Sequence, residues 1–114
     1  MSAVEVCKLA DIPVPGAIPV VVDGVPVAVV RESNGAVHAL RDVCSHADVA
    51  LSEGEVDGCT LECWLHGSRF DVRTGQPSGP PATRPVPVFQ VRVEGEGDQS
   101  VVLVDVSVTV NTGR

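Results

Sequence analysis

Two short segments of this 114-residue chain each carry one cysteine and one histidine, in the same order. The first segment contains Cys44 and His46, and after sixteen intervening residues the second contains Cys63 and His66. Thiolates and imidazoles bind transition metals well. Because each segment supplies one of each, the pattern suits a two-iron centre in which one iron takes both sulfurs and the other takes both nitrogens. The spacing therefore predicts one [2Fe–2S] cluster per chain, bound by these four residues.

The same four side chains could instead close a tetrahedral structural zinc site. Zinc fingers usually pair two cysteines and then two histidines, whereas each segment here is mixed. A third interpretation, four unrelated buried residues, requires two ordered pairs to arise by chance, the second followed directly by Gly67 and Ser68. The two-iron interpretation is favoured, and zinc remains the alternative.

The composition predicts one all-β domain. Nine prolines and eleven glycines are spread along the chain and leave little room for an interior helix. Aromatic residues are scarce and valine is frequent, and β-branched side chains favour strands. We expect a single domain over residues 1–114, with the cluster-binding part at about residues 43–82.

Charge and hydropathy limit the partners and the compartment. The formal net charge of −7 argues against binding to nucleic acid or to an anionic membrane surface. It suits brief docking on basic partner proteins, and simple solubility explains it equally well. Residues 1–6 lack the basic start and the apolar run of a signal peptide. The longest apolar stretch, residues 17–30, is interrupted by Pro19, Asp23 and Pro26 and cannot span a membrane. We expect a cytoplasmic protein.

Alternating apolar residues and turn signals predict a series of short strands. Asp23-Gly24 and Asn34-Gly35 are two-residue hairpin signals that would join three strands into an antiparallel meander. In the last strand the even-numbered valines share one face, and Asp105 lies on the other. The predicted strands are residues 4–9, 20–23, 25–30, 36–42, 56, 60–62, 70–72, 86–93 and 101–110.

Other residues that could take part in chemistry have simpler interpretations. Cys7 lies in the first strand and is expected to be a small buried hydrophobe. Cys59, four residues before Cys63, is a tempting fifth ligand, but four ligands complete the site, so we expect it to be structural or free. His38 is expected to be a packed or half-exposed strand residue. Arg41 and Asp42 shortly precede the first segment and are placed to anchor its loop.

The two segments resemble the Rieske pattern, Cys-x-His followed by Cys-x-x-His. Together with Leu51-Ser52-Glu53-Gly54 and Gly67-Ser68-Arg69-Phe70, they are similar to the small Rieske ferredoxins of multicomponent oxygenases, over roughly residues 4–106. The resemblance implies an antiparallel Rieske-like sandwich with a small cluster-binding subdomain formed by two loops. It also implies that the cysteines hold the inner iron and the histidines the outer iron.

The resemblance further implies residues that surround the cluster. Trp64 and Leu65 could cover it from solvent, although core packing of Trp64 is an equally open interpretation. Gly67 would let the backbone approach closely, and Ser68 is placed to donate a hydrogen bond to a cluster sulfur. Pro81 belongs to a proline-bearing third loop that covers the cluster in Rieske domains.

The function implied is electron transfer, not catalysis, by a monomer that accepts electrons from a flavin-dependent NAD(P)H reductase and passes them to a terminal oxygenase. Electron supply to iron–sulfur assembly and a role as the small subunit of a larger reductase stay open as alternatives. High-potential members carry a disulfide where this chain has Val49 and Leu65, and a Tyr where it has Phe70. We therefore expect a reduction potential in the lower part of the Rieske range of roughly −150 to +300 mV.

Overall fold

The computed structural model describes residues 3–43, 49–64, 69–77 and 85–109. Short 3₁₀ turns at Leu9–Asp11, Leu51–Glu53 and Gly97–Gln99 are the helical elements among them, and no helix in these ranges is long and apolar enough to cross a membrane. The strands are β1 (Val4–Lys8), β2 (Gly16–Val22), β3 (Val25–Arg31), β4 (Val37–Arg41), β5 (Val56–Asp57), β6 (Thr60–Glu62), β7 (Arg69–Asp71), β8 (Val88–Glu94) and β9 (Val101–Thr109).

The strands form two antiparallel sheets, as an all-β fold requires. The large sheet has six strands in the order β1-β9-β8-β4-β3-β2, and the small sheet has three in the order β5-β6-β7. The small sheet is inserted in the sequence between β4 and β8, so the chain leaves the large sheet and returns to it. The predicted fold class, an antiparallel sandwich with a small subdomain, is confirmed.

The two predicted hairpin turns of the meander differ in length. Asp23 and Gly24 both have positive φ angles, 51° and 80°, as a two-residue turn between twisted strands requires. The second connection is longer than predicted, because β3 ends at Arg31 and β4 begins only at Val37. Here the backbone N–H of Glu32 donates to the carbonyl of Ala36 at 2.8 Å, which closes a wider turn.

Strands β3 and β4 are apolar on both faces and therefore separate two cores. Val27, Val29 and Ala39 face the sandwich core, which is built from large-sheet strands and from Ile12 in the β1–β2 connection. Ala28, Val30 and Leu40 alternate with them and face a second core, the small-sheet core. The remaining buried members of the small-sheet core are Leu51, Leu61, Cys63, Phe70, Val72, Val86 and Val88. The small sheet thus packs against the back of the meander.

Strand β9 contains an irregularity that buries a carboxylate. Its register on β8 jumps from Phe89↔Thr109 to Gln90↔Asp105, which is a β-bulge. Asp105 is only 6% exposed, and one of its oxygens accepts hydrogen bonds from the Ser107 hydroxyl and backbone N–H. These two bonds, the hydroxyl first, hold the pKa of Asp105 below its ordinary value.

Candidate metal centre

The second predicted ligand segment begins where β6 ends. Along this strand Leu61 and Cys63 are completely buried, whereas Glu62 and Trp64 alternate toward solvent. Cys63 is a free thiol within the small-sheet core. Of the predicted site residues, Cys63 and Trp64 belong to the described part of the chain, and Cys44, His46, Leu65, His66, Gly67, Ser68 and Pro81 lie outside it.

The first predicted ligand segment is approached through Asp42, which follows β4 directly. Asp42 is only 5% exposed. Its Oδ1 accepts the backbone N–H of Ser52 and its Oδ2 accepts the Ser52 hydroxyl, both at 2.6 Å. Ser52 lies in the Leu51–Glu53 turn, which we call the bridging turn. Asp42 is thus fixed to Ser52, while the loop that it was predicted to anchor lies outside the described residues.

The bridging turn also contacts the strand that leads to Cys63. A Cβ atom added to Gly54 would lie 1.6 Å from the carbonyl oxygen of Glu62, so only glycine fits at this position. The backbone N–H of Glu62 donates to the carbonyl of Glu55 at 2.9 Å. The bridging turn and the adjacent Gly54 therefore contact the residues that precede both ligand segments. Ser52 bonds to Asp42 before the first segment, and Gly54 lies against Glu62 before the second.

Backbone hydrogen bonds fix the other approaches to the site. The N–H of Asp42 donates to the carbonyl of Pro26 at 2.9 Å, and that of Arg41 donates to the carbonyl of Pro87 at 3.0 Å. The N–H of Val86 donates to the carbonyl of Gly75 at 2.9 Å. Gly75 and Val86, which flank the proline-bearing third loop, are therefore bonded to each other. Pro87, just after them, is bonded to the end of β4.

Trp64 lies at the end of an acidic sheet face. It is 50% exposed, so the interpretation of Trp64 as a fully packed core residue is wrong. Residues directly opposite each other in a sheet share a face, and Glu55, Glu62 and Arg69 form such a row across the small sheet. Asp57 lies on the same face and pairs with Arg69 at 3.1 Å. An exposed indole therefore borders a surface on which carboxylates outnumber cations.

A second polar cluster joins the two sheets and was not anticipated from the sequence. The carboxylate of Glu32, a residue only 3% exposed, lies 2.5 Å from His38 Nε2. It also accepts a hydrogen bond from the Arg73 guanidinium at 3.2 Å. Burial alone would raise the pKa of Glu32, but the hydrogen bonds from Arg73 and His38 outweigh it and hold this pKa below its ordinary value. Glu32 belongs to the β3–β4 connection and Arg73 follows β7, so the cluster ties the small sheet to the meander. We call it the inter-sheet ion cluster.

The two further described cysteines lie apart from Cys63. Cys59 and Cys63 flank the three residues of β6 and so stand at opposite ends of that strand, about 13 Å apart at the usual rise per residue. Cys7 lies in β1, where burial first and the nearby Asp11 second raise the pKa of its thiol. Both are free thiols, as expected for Cys59, and Cys7 is half-buried where a buried hydrophobe was predicted.

The residues present fit a [2Fe–2S] group. Cys63 offers a sulfur within an apolar environment that excludes solvent, and two sulfurs with two imidazoles are the mixed donor set of this cluster. The bridging turn brings the bases of the two segments to one place. Within the described ranges, no other group of three or more His, Cys, Asp and Glu side chains could hold a metal.

Comparison with known proteins agrees with this assignment. The chain is 38% identical over 112 residues to the ferredoxin component of biphenyl 2,3-dioxygenase from Rhodococcus jostii, covering 98% of this chain and all of that protein. The ferredoxin of carbazole 1,9a-dioxygenase from Nocardioides aromaticivorans superposes with a TM-score of 0.79 at 34% identity, covering 90% and 97% of the two chains. A ferredoxin solved in complex with the oxygenase of carbazole 1,9a-dioxygenase gives 0.76 at 35% identity, covering 90% and 91%.

Residues 2–90 match the family described as the Rieske [2Fe-2S] domain. This match spans both ligand segments, the bridging turn and the small sheet. It selects the iron–sulfur cofactor over the zinc alternative. The buried thiol, the shared turn and the matched sequence lead to one conclusion: this chain belongs to the Rieske [2Fe–2S] family.

Proposed function

We propose that this protein is the ferredoxin component of a multicomponent oxygenase system, a single-domain one-electron carrier. The observation that carries the proposal is that an electron-transfer ferredoxin, at 38% identity, is aligned along its whole length with 98% of this chain. The alignment therefore relates this chain to an electron carrier over that carrier's whole length.

Four residues are proposed as ligands: Cys44 and Cys63 through sulfur, and His46 and His66 through one ring nitrogen each. When bound, a [2Fe–2S] cluster accepts and releases one electron at a time. The protein contributes the apolar surroundings of Cys63, which keep water from the sulfur. It also contributes the bridging turn, which keeps the two segments in fixed relation. We propose that Leu65, Gly67, Ser68 and Pro81 surround the group.

The proposed partners are a flavin-dependent NAD(P)H reductase, which supplies electrons, and a terminal oxygenase, which receives them. A related ferredoxin has been solved in complex with its oxygenase. In this chain, exposed Trp64 directly follows a proposed ligand, and the carboxylates beside it suit basic partner surfaces. We propose brief docking of a monomer at this end of the small sheet, within the cytoplasm.

The test is chemical analysis followed by reconstitution. Anaerobically purified protein should contain two irons and two acid-labile sulfides per chain, and it should bleach reversibly on one-electron reduction. Mixed with a flavin-dependent reductase and a terminal oxygenase, it should support NAD(P)H-driven substrate oxidation that stops when it is omitted. One zinc in a colourless protein, or stable co-elution of the native protein with a large reductase subunit, would contradict the proposal.

A further inference from the structure

The strongest unexplained feature beside the proposed site is the buried carboxylate of Asp42. Both of its oxygens accept hydrogen bonds from one residue, Ser52, at 2.6 Å. Buried carboxylates are usually paired with cations, and none of the ion pairs among the described residues includes Asp42. Its described side-chain partner is a neutral serine, so no cation among the described residues pairs with this carboxylate.

Asp42 stands close to the proposed ligands. It precedes Cys44 by two residues, and two residues of fully extended chain span about 7 Å at most. This bound applies to the Cα atoms of Asp42 and Cys44. In a partly buried environment, charges interact more strongly than they do in water at the same separation. Reduction adds one electron, and hence one negative charge, to the bound group, so a buried anion beside it disfavours the reduced state.

The hydrogen bonds of Asp42 also connect the two ligand segments mechanically. Ser52 belongs to the bridging turn, and two residues later Gly54 lies against the carbonyl of Glu62, beside Cys63. The path from the first segment to the second therefore runs through one side-chain contact and one close backbone approach. Without the contact to Ser52, the chain itself and the packing of Leu51 in the small-sheet core would relate the base of the first segment to the bridging turn.

We infer that Asp42 is a positioning residue for the iron–sulfur group that also lowers its reduction potential. Its bonds to Ser52 keep the two ligand segments at a fixed separation, and its buried charge opposes the gain of an electron. This inference rests on the proposed function, because it requires the group to be bound at Cys44 and Cys63. The two effects can be separated, since one depends on hydrogen bonding and the other on charge.

The chain offers a matched control in Asp105. This carboxylate is also buried, and a single serine, Ser107, likewise bonds to it through its hydroxyl and its backbone N–H. It lies in β9, two strands away from β4 in the large sheet, and its bonds join residues only two apart. Asp105→Asn thus neutralises a similar carboxylate without touching the connection between the ligand segments.

The experiment compares midpoint potentials and iron retention of the loaded full-length protein. Asp42→Asn keeps a hydrogen-bond acceptor but removes the charge, so its midpoint potential should rise while its iron content stays near that of the wild type. The rise should persist at high salt, because a buried charge is little screened. Asp105→Asn should leave the potential unchanged. A potential of Asp42→Asn equal to or below that of Asp105→Asn would overturn the electrostatic part.

The positioning part is tested at Ser52. Ser52→Ala should lose iron to a chelator about tenfold faster or more, the range seen when partners of metal ligands are removed, and its electron paramagnetic resonance spectrum should broaden. Ser52→Thr, which keeps the hydroxyl, should restore both readouts. Unchanged iron retention in both Ser52→Ala and Asp42→Ala would overturn this part. A wild-type protein without iron and sulfide would instead refute the proposed function, and this inference with it.

Discussion

The large sheet buries apolar side chains on both faces of its central strands, whereas the small sheet is apolar on one face and charged on the other. Strands of the large sheet run for five to nine residues, and those of the small sheet for two or three. Strands that short make few ladder hydrogen bonds and form no independently stable unit. The small sheet is therefore held by its packing on the meander together with polar contacts and the proposed cluster, while the large sheet also has its own long ladders and a second core.

The large sheet therefore supplies the rigid part of the protein, and the small sheet carries the proposed functional site. The meander of β2, β3 and β4 supplies a rigid surface on which the small sheet packs. The small-sheet core connects the two, and polar contacts of Asp42 with Ser52 and of Glu32 with Arg73 add to this connection. Functional sites are commonly built from such irregular segments on a rigid scaffold.

Removing the cluster should have the largest effect on the difference in stability between the two sheets. Metal-binding free energy becomes folding free energy where the ligands are not preassembled, so chelation should expose the small sheet. Amide hydrogen exchange of β6 and β7 should accelerate by at least about tenfold, equivalent to about 1.4 kcal/mol of local stability. Exchange of β3 and β8 should change little.

The matched variants for this test replace the two cysteines that flank β6. Cys63→Ser should reproduce the effect of chelation and abolish the visible absorption of the cluster. Cys59→Ser, at the other end of β6, should retain its iron and should leave the amide hydrogen exchange of β6 and β7 slow. If both sheets lost protection together, the two regions would not be distinct in stability.

Gly54→Ala should have the next largest effect. The added Cβ would lie 1.6 Å from the Glu62 carbonyl oxygen, so the bridging turn must move away from the second ligand segment. We expect a loss of about 1 to 3 kcal/mol in the free energy of unfolding, as for overpacking elsewhere, measured by urea denaturation, together with reduced iron content.

Gly24→Ala, in the large sheet, is the control for Gly54→Ala. Gly24 has a φ of +80° and open space around its Cβ position, so alanine adds backbone strain of about 1 to 2 kcal/mol without any contact. Its iron content should equal that of the wild type. Equal iron content in both variants would show that the close approach at Gly54 does not control the site.

The inter-sheet ion cluster should make stability depend on pH. Because the folded-state pKa of Glu32 is lowered from 4.5, its stabilising contribution is present above the unfolded-state value and is lost as the pH falls through the folded-state value. The urea midpoint of the wild type should therefore fall more steeply below about pH 4.5 than that of Glu32→Gln.

The groups that face Glu32 are His38 and Arg73, so Arg73→Gln should reduce the same pH dependence in part. Glu94→Gln removes an exposed ion pair with Arg92 and serves as the control, because exposed pairs contribute little to stability. A pH profile of Glu32→Gln that parallels the wild type would contradict this account of the connection between the sheets.

Trp64→Ala should have the smallest effect on stability and still weaken function. A half-exposed side chain contributes little to folding, so the free energy of unfolding should change by no more than about 0.5 kcal/mol. Loss of an aromatic anchor from an interface costs about 2 kcal/mol or more, so the apparent KM for the ferredoxin in reductase-coupled turnover should rise.

Val21→Ala, a change at an even more exposed apolar residue on the large sheet, should leave that KM unchanged. A rise in both variants would indicate that docking is not confined to the small-sheet end of the molecule.

The amino-acid sequence alone determined the features that depend on local patterns. Two mixed Cys and His segments, an all-β chain and the tight turn at Asp23-Gly24 follow from residue types a few positions apart. The end of the meander at Asp42 was likewise anticipated, because turn chemistry and strand alternation act over short distances.

Only the tertiary structure decided which polar side chains became buried and with what partner. Asp42 meets Ser52 ten residues away, and Glu32 meets Arg73 forty-one residues away. The burial of Asp105 depends on a bulge between β8 and β9. In the sequence these residues look like ordinary solvated carboxylates, because their partners come within reach only once the two sheets pack. Long-range packing therefore set the surroundings of a site whose proposed ligands the local pattern had already predicted.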